Sequence, residues 1–130
     1  MKKILVIDDD DTFCEVIRAG ADKDKYDIST ASDGVAGLAA VEKSTPDLIL
    51  LDVKMPRMNG IEFLEKMRGS EKNKNIPVVI TSNDTSMETI TQGTELNVRG
   101  YFVKSNESMK SIFEIIARIF PDKEKSQVHV

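Results

Sequence analysis

Short apolar runs alternate with helical stripes along the whole chain. Leu48-Ile49-Leu50-Leu51 has no polar relief, the pattern of a strand buried on both faces, as central parallel strands are. Lys3–Ile7 and Val78–Thr81 carry the same signal, and Val98–Val103 supplies a fifth strand. Tyr26–Ala31 is more polar and reads as an edge strand. Between the strands the apolar period changes from continuous to helical. Phe13, Val16, Ile17 and Ala21 make one stripe; Leu38 and Val41 make another, from about Gly34, with Asp33 as N-cap. Ile61, Leu64 and Met67 mark a third helix, and Met87 and Ile90 a more polar fourth, for which Asn83 or Asp84 is a candidate cap. Met109, Ile112, Phe113, Ile116, Ile119 and Phe120 form the apolar face of the fifth, which Pro121 stops.

Five β-α units predict an α/β domain of three layers, α/β/α: a five-stranded parallel sheet with five helices on its two faces. The 130 residues fit one domain, 1–121, followed by a charged, aperiodic tail or linker start, 122–130. Composition changes the picture little. Apolar residues at 40% support a real core, and a net charge of −4 argues against nonspecific nucleic-acid binding. No apolar run approaches the ~18 residues of a membrane span, and the basic start runs into four Asp rather than a signal-peptide cleavage site. The single cysteine, Cys14, excludes an internal disulfide and suits a reducing cytoplasm, the expected location.

The candidate chemistry lies at strand ends. Ligands of open α/β sheets bind beyond the carboxyl ends of the strands. Asp52 ends the third strand, and Pro56 and Gly60 turn the chain away after it. Asp8-Asp9-Asp10-Asp11 ends the first. If these two strands are neighbours, Asp8 or Asp9 faces Asp52, and clustered carboxylates call for a cation. Oxygen-only ligands at a shallow site suit Mg²⁺, with Mn²⁺ an acceptable substitute. The competing use of the four Asp is helix capping, which falls to Asp10 or Asp11. Ser82-Asn83 ends the fourth strand and offers a hydroxyl and backbone N–H to an anion; Lys104 ends the fifth and offers a compact positive charge.

This constellation resembles the receiver domain of bacterial two-component response regulators, from about Lys2 to Phe120. Lys3-Ile4-Leu5-Val6-Ile7-Asp8-Asp9 is similar to the family's first strand and acidic pair. Asp52, Met55, Pro56, Met58, Asn59 and Gly60 match its phosphoacceptor segment. Ser82 and Lys104 fall at the family's fixed distances after that acceptor, and Tyr101 at its aromatic switch position. The resemblance implies a flavodoxin-like, doubly wound sheet of order 2-1-3-4-5. It implies that Asp52 accepts a phosphoryl group from a sensor histidine kinase or phosphotransfer protein. Asp9, the Asp52 carboxylate and the Lys54 main-chain carbonyl would bind Mg²⁺, with Asp8 acting through a metal-bound water. Ser82, Asn83 and Lys104 would hold phosphoryl oxygens. The domain would be a signalling module rather than an enzyme, monomeric or weakly dimeric when phosphorylated. Its downstream protein target would meet the surface of the fourth helix, fifth strand and fifth helix. No DNA-binding output is evident in the sequence, which reads as a single-domain regulator or as a receiver excised from a longer chain.

Three residues depart from the family pattern. Ser105 follows Lys104 where Pro is usual, so a trans bond is expected, and Asn83 is larger than the usual small residue. Asn97 stands where Gly often ends the fourth helix, and Asn tolerates the left-handed turn. The rival enzyme reading is a haloacid-dehalogenase-type phosphatase, from Asp8-x-Asp10-x-Thr12, with Asp8 as nucleophile and Asp10 as acid/base. It lacks a convincing second acidic pair downstream. A flavodoxin-type binding module would need a Ser/Thr/Gly loop where four Asp stand. Cys14 reads as inert packing, His129 as a solvated tail residue, and Ile115 as either partly exposed or part of a partner surface.

Overall fold

The computed structural model describes residues 1–84 and 86–121. Its elements are β1 (Lys2–Ile7), α1 (Asp11–Gly20), β2 (Tyr26–Ala31), α2 (Gly34–Lys43), β3 (Leu48–Leu51), α3 (Gly60–Arg68), β4 (Val78–Ser82), α4 (Met87–Glu95), β5 (Gly100–Val103) and α5 (Met109–Ile119). The strands form one parallel sheet in the order β2-β1-β3-β4-β5. The polar strand β2 is at an edge, as its composition predicts, and β1, β3 and β4 are interior.

Alternation within the strands divides the core between the two faces. Ile4, Val6, Leu48, Leu50 and Val79 pack against Phe13, Cys14 and Ile17 of α1 and Ile112 and Ile116 of α5. Leu5, Ile7, Ile49, Leu51 and Val78 point the other way, onto Val41 of α2 and Phe63, Leu64 and Met67 of α3. All four residues of β3 are buried, so its unbroken apolar run is the signature of a strand covered twice. Helix starts are set by side-chain caps: Asp10 accepts from Phe13 N, Asp33 from Ala36 N, and Ser86 from Thr89 N. α3 begins with a reciprocal capping box between Asn59 and Glu62.

Register fixes the site. Ile7 lies opposite Leu51, so the chain leaves β1 and β3 at the same level. Leu51 lies opposite Ile80 and Ser82 opposite Val103. Asp8, Asp52, Ser82 and Lys104 therefore share the carboxyl rim of four adjacent strands.

The structure corrects several expectations. Val16 is 40% exposed and Met87 74%, so neither belongs to the core. Ser86, not Asn83 or Asp84, is the N-cap of α4; Asp84 serves the turn before it, accepting from Ser86 N and Thr89 Oγ1. β4 extends to Ser82, and β5 starts at Gly100 because Val98 N is still bonded to Gly93 O at the end of α4. Asn97 does take the left-handed turn, with φ of 60°. Ile115 is half-buried against the α5 side of the core. The tail after Pro121, with His129, lies outside the described residues.

Candidate functional site

Three carboxylates meet at the rim. One oxygen from each of Asp8, Asp9 and Asp52 lies within 4.8 Å of the others. Asp8 and Asp52 are buried because they continue interior strands, while Asp9 is exposed because the chain is already turning into α1. Asp8 Oδ1 accepts from Asp10 N at 2.9 Å, which sets that turn. Asp52 N donates to Ile7 O, and Asp52 Oδ1 accepts from Val53 N at 2.8 Å.

One ammonium faces them. Lys104 Nζ lies 2.6 Å from Asp8 Oδ2 and 4.0 Å from Asp52 Oδ2. Its stem lies along the core, and Nζ stands 4.5 Å from the centre of the Phe13 ring, so the aromatic face adds a further attraction. The backbone of Lys104 is anchored to β4, donating to Ser82 O at 3.2 Å. Phe13, which the sequence marks only as a core residue, is thus also the floor of the ammonium site.

One positive charge among three acids leaves the cluster short of cation. Burial pushes the Asp8 carboxyl above its ordinary range, partly offset by Lys104 and the Asp10 N–H. Asp52 is pushed up to about 6, first by burial and then by the Asp8 charge, again offset by Lys104 and Val53 N. Asp8 Oδ2 is taken by the Lys104 ammonium at 2.6 Å, which leaves Asp9 and Asp52 to share what remains of that one charge. Three carboxylates within reach of one another, with one ammonium between them and an all-oxygen donor set, fit Mg²⁺ or Mn²⁺. The thiol of Cys14 is pushed up to about 11 by burial and by Asp8 and Asp11, which keeps it inert beside the cluster.

Ser82 is buried, and its Oγ accepts from Asp84 N at 3.1 Å. Thr81, its neighbour, is fully buried in the sheet with its hydroxyl unpartnered. Asp84 is held below the ordinary carboxylate range by Ser86 N and the Thr89 hydroxyl. With Asp9, Lys54 and Asn59 it lines an open cleft of about 560 Å³ adjoining the rim. Asn83 is exposed, and its Oδ1 accepts from Ser105 N at 2.8 Å. Among the described residues no peptide bond is cis, so Lys104–Ser105 is trans as expected.

The loop after Asp52 is fixed by backbone constraints. Gly60 N donates to Val53 O, and a Cβ on Gly60 would collide with the Asp52 carbonyl, which explains the glycine. Arg57 adopts φ of 66° within a Pro56 O to Met58 N turn, and its guanidinium pairs with Asp33 at the start of α2. The Asp33 carboxyl is lowered by Ala36 N and then by this guanidinium. The Asn59-x-x-Glu62 capping box has a recognisable sequence pattern; the Arg57–Asp33 pair carries no such signal.

The sequence matches the family described as response regulator receiver domain over residues 4–117. The chain belongs to this family. The receiver domain is 35% identical over 104 residues to the alkaline phosphatase synthesis transcriptional regulatory protein PhoP of Bacillus subtilis, covering 79% of this chain and 42% of PhoP. It is 37% identical over 103 residues to response regulator PleD of Caulobacter vibrioides, covering 78% and 22%. The receiver thus spans less than half the length of either relative. Among solved structures, the chemotaxis protein CheY4 of Vibrio cholerae superposes with a TM-score of 0.83 at 28% identity, over 92% of this chain and 98% of that one. TrrA of Thermotoga maritima, in complex with Mg²⁺ and BeF, superposes with a TM-score of 0.78 at 25% identity, over 92% and 99%.

The sheet order and the superposition on CheY4 agree with a receiver fold. The family does not favour the phosphatase reading, and neither does the geometry: the Asp10 carboxylate is engaged in capping α1 rather than aimed at a substrate. Within β5, the Tyr101 hydroxyl donates to Ile90 O of α4 at 2.7 Å. Gly93 makes this contact possible, since a Cβ there would overlap the tyrosine oxygen. Among the described residues no helix is long and apolar enough to cross a membrane.

Proposed function

We propose that this receiver domain takes a phosphoryl group onto Asp52 from a phosphohistidine of a sensor histidine kinase or phosphotransfer protein, with Mg²⁺ required. The observation that carries the reading is the position of Lys104 Nζ, paired to Asp8 and 4.0 Å from Asp52 Oδ2, beside a three-carboxylate donor set. An Asp52 oxygen attacks phosphorus as the P–N bond breaks, and the electron pair leaves with the imidazole nitrogen. Such transfers need positioning and charge neutralisation more than covalent help. Asp9, the Asp52 carboxylate and the Lys54 carbonyl would hold the cation, with Asp8 behind them, and the cation would neutralise charge on the moving group. Lys104 would release Asp8 and take a phosphoryl oxygen as a point charge. Ser82 would exchange its bond from Asp84 N for a phosphoryl oxygen, whereas the Asn83 carboxamide oxygen is engaged with Ser105 N and would not share that role. The likeness to TrrA, which was solved with Mg²⁺ and BeF, supports the same ligand chemistry here.

The response would be a shift in population of the α4–β5–α5 face. Tyr101 already bridges β5 to α4 through Ile90 O, and Asp84 ties Ser82 to Thr89 of α4, so both routes end on that helix. A protein target that prefers one arrangement would read the change.

Intact mass after incubation with acetyl phosphate and Mg²⁺ tests the assignment. Wild type should gain one phosphoryl group, and lose that gain with EDTA or in Asp52→Asn. Uptake that persists in Asp52→Asn, or never appears in wild type, contradicts it.

A further inference from the structure

Asn83 and Ser105 are the two positions at which this chain departs from the family pattern around its site, and in the structure they touch. Asn83 Oδ1 accepts the Ser105 backbone N–H at 2.8 Å, across 22 residues of sequence. The bond needs both departures together. A small residue at 83 has no acceptor, and a proline at 105 has no donor.

Its location gives it a task. Asn83 directly follows Ser82 at the end of β4, and Ser105 directly follows Lys104 at the end of β5. Within the sheet, Lys104 is tied on its amino side by the bond from its own N–H to Ser82 O at 3.2 Å. On its carboxyl side the chain leaves the sheet in a turn closed by Asn106 N and Glu107 N onto Val103 O, with Glu107 Oε2 accepting from Val103 N at 2.7 Å. None of those bonds fixes the Lys104–Ser105 peptide itself; the Asn83 side chain does. With its own N–H held to Ser82 of β4 and the next N–H held to Asn83, the Cα of Lys104 is clamped, and its ammonium sits over Phe13 within reach of Asp8 and Asp52.

We propose that Asn83 is a positioning residue for Lys104: its side-chain bond to the Ser105 peptide holds the lysine where its ammonium can meet a phosphoryl group on Asp52. This deepens the reading of the site as a phosphoacceptor and rests on it. The same bond makes the rim at β4 and β5 one unit, so a displacement of Ser82 carries the entry to α5 with it.

The test compares wild type, Asn83→Ala, Lys104→Ala and the double variant. Asn83→Ala should slow phosphoryl uptake from acetyl phosphate at saturating Mg²⁺ by roughly 3- to 10-fold, the weight of one lost hydrogen bond. Mg²⁺ affinity, followed by amide shifts, should stay within about twofold, because Asn83 offers nothing to the cation. In the Lys104→Ala background, where uptake is followed over hours, adding Asn83→Ala should slow it no further, since the residue acts through the lysine. The Ser105 amide should exchange slowly in wild type and fast in Asn83→Ala. The proposal is overturned by uptake in Asn83→Ala as fast as wild type, by an equal loss with and without Lys104, or by a Ser105 amide indifferent to residue 83. Absence of uptake in wild type would instead defeat the phosphoacceptor reading, and the Ser105 amide would still decide whether the clamp exists.

Discussion

The two edges of this sheet treat buried charge in opposite ways. At the amino-terminal edge of β4 and β5, the Arg68 guanidinium donates to Leu96 O at 2.9 Å, Lys74 O at 2.9 Å, Ile76 O at 2.7 Å and Asn97 O at 3.4 Å. Burial and the nearby Arg99 lower its pKa, yet a guanidinium stays charged in a protein. Its fork satisfies carbonyls that the α3–β4 and α4–β5 turns would otherwise leave open. At the carboxyl edge, three carboxylates share one ammonium. One edge is closed by its own side chains; the other leaves carboxylate charge uncompensated. Carboxylates gathered with too little positive charge are the expected mark of a candidate cation site.

Lysine removal should break the comparison most severely. Lys104→Ala should reduce phosphoryl uptake by about 10²- to 10³-fold, the range for losing one pre-placed charge at a reacting centre. In the absence of metal it should also destabilise the fold by ~2–3 kcal/mol, because Asp8 is left buried without its counter-charge. Mg²⁺ should recover more stability in this variant than in wild type, which thermal melts with and without the metal would show. At the opposite edge, Arg68→Ala should cost about 2–3 kcal/mol by exposing or orphaning several carbonyls. Chemical denaturation measures that loss, and Mg²⁺ affinity should not change with it. If Arg68→Ala weakened Mg²⁺ binding as much as it weakened the fold, the two edges would not be separable.

A smaller effect is expected under α4. Gly93→Ala places a methyl where the Tyr101 hydroxyl sits, and overpacking of this kind costs ~1–3 kcal/mol. The tyrosine should swing out, seen as a changed ring environment by NMR, with Mg²⁺ affinity intact. The smallest effect is the pH dependence of the rim. The Asp52 carboxyl titrates at about 6 in the fold against 3.8 ordinarily, so between those values the native state holds the proton that the unfolded state has lost. Stability of the metal-free protein should fall as pH rises through that window and then level. Asp52→Asn should remove this loss, gaining ~1–2 kcal/mol at neutral pH after allowance for solvent screening at the rim, and nothing at pH below about 4. Melts across pH, metal-free, give the sign directly.

Much of this architecture is legible in the amino-acid sequence. The unbroken run of β3 places Asp52, because a doubly covered strand has no polar alternative for its side chains. The polarity of β2 places it at the edge for the converse reason. Val16 and Met87 mislead because an apolar residue one position off a helical stripe costs little to expose. The cap of α4 escapes a sequence assignment because Ser82, Asn83, Asp84 and Ser86 all suit a cap, and only the path of the turn decides between them. What the sequence hides is contact between departures. Asn83 and Ser105 each look like an isolated exception, and no local pattern couples residues that meet only through the pairing of β4 with β5. Phe13 under Lys104 is hidden in the same way, by a core role that is also true.

On this reading Asp8, Asp9, Asp52 and Lys104 would form one site for a cation and a phosphoryl group. A stepwise amide and lysine-ammonium NMR titration tests it most directly, with Mg²⁺ first and beryllofluoride second. Mg²⁺ alone should shift residues 8, 9 and 52–54, and beryllofluoride, only with Mg²⁺ present, should then shift Ser82, Tyr101 and the Lys104 ammonium. Beryllofluoride shifts that need no metal, or a Lys104 signal unmoved by both, would contradict it.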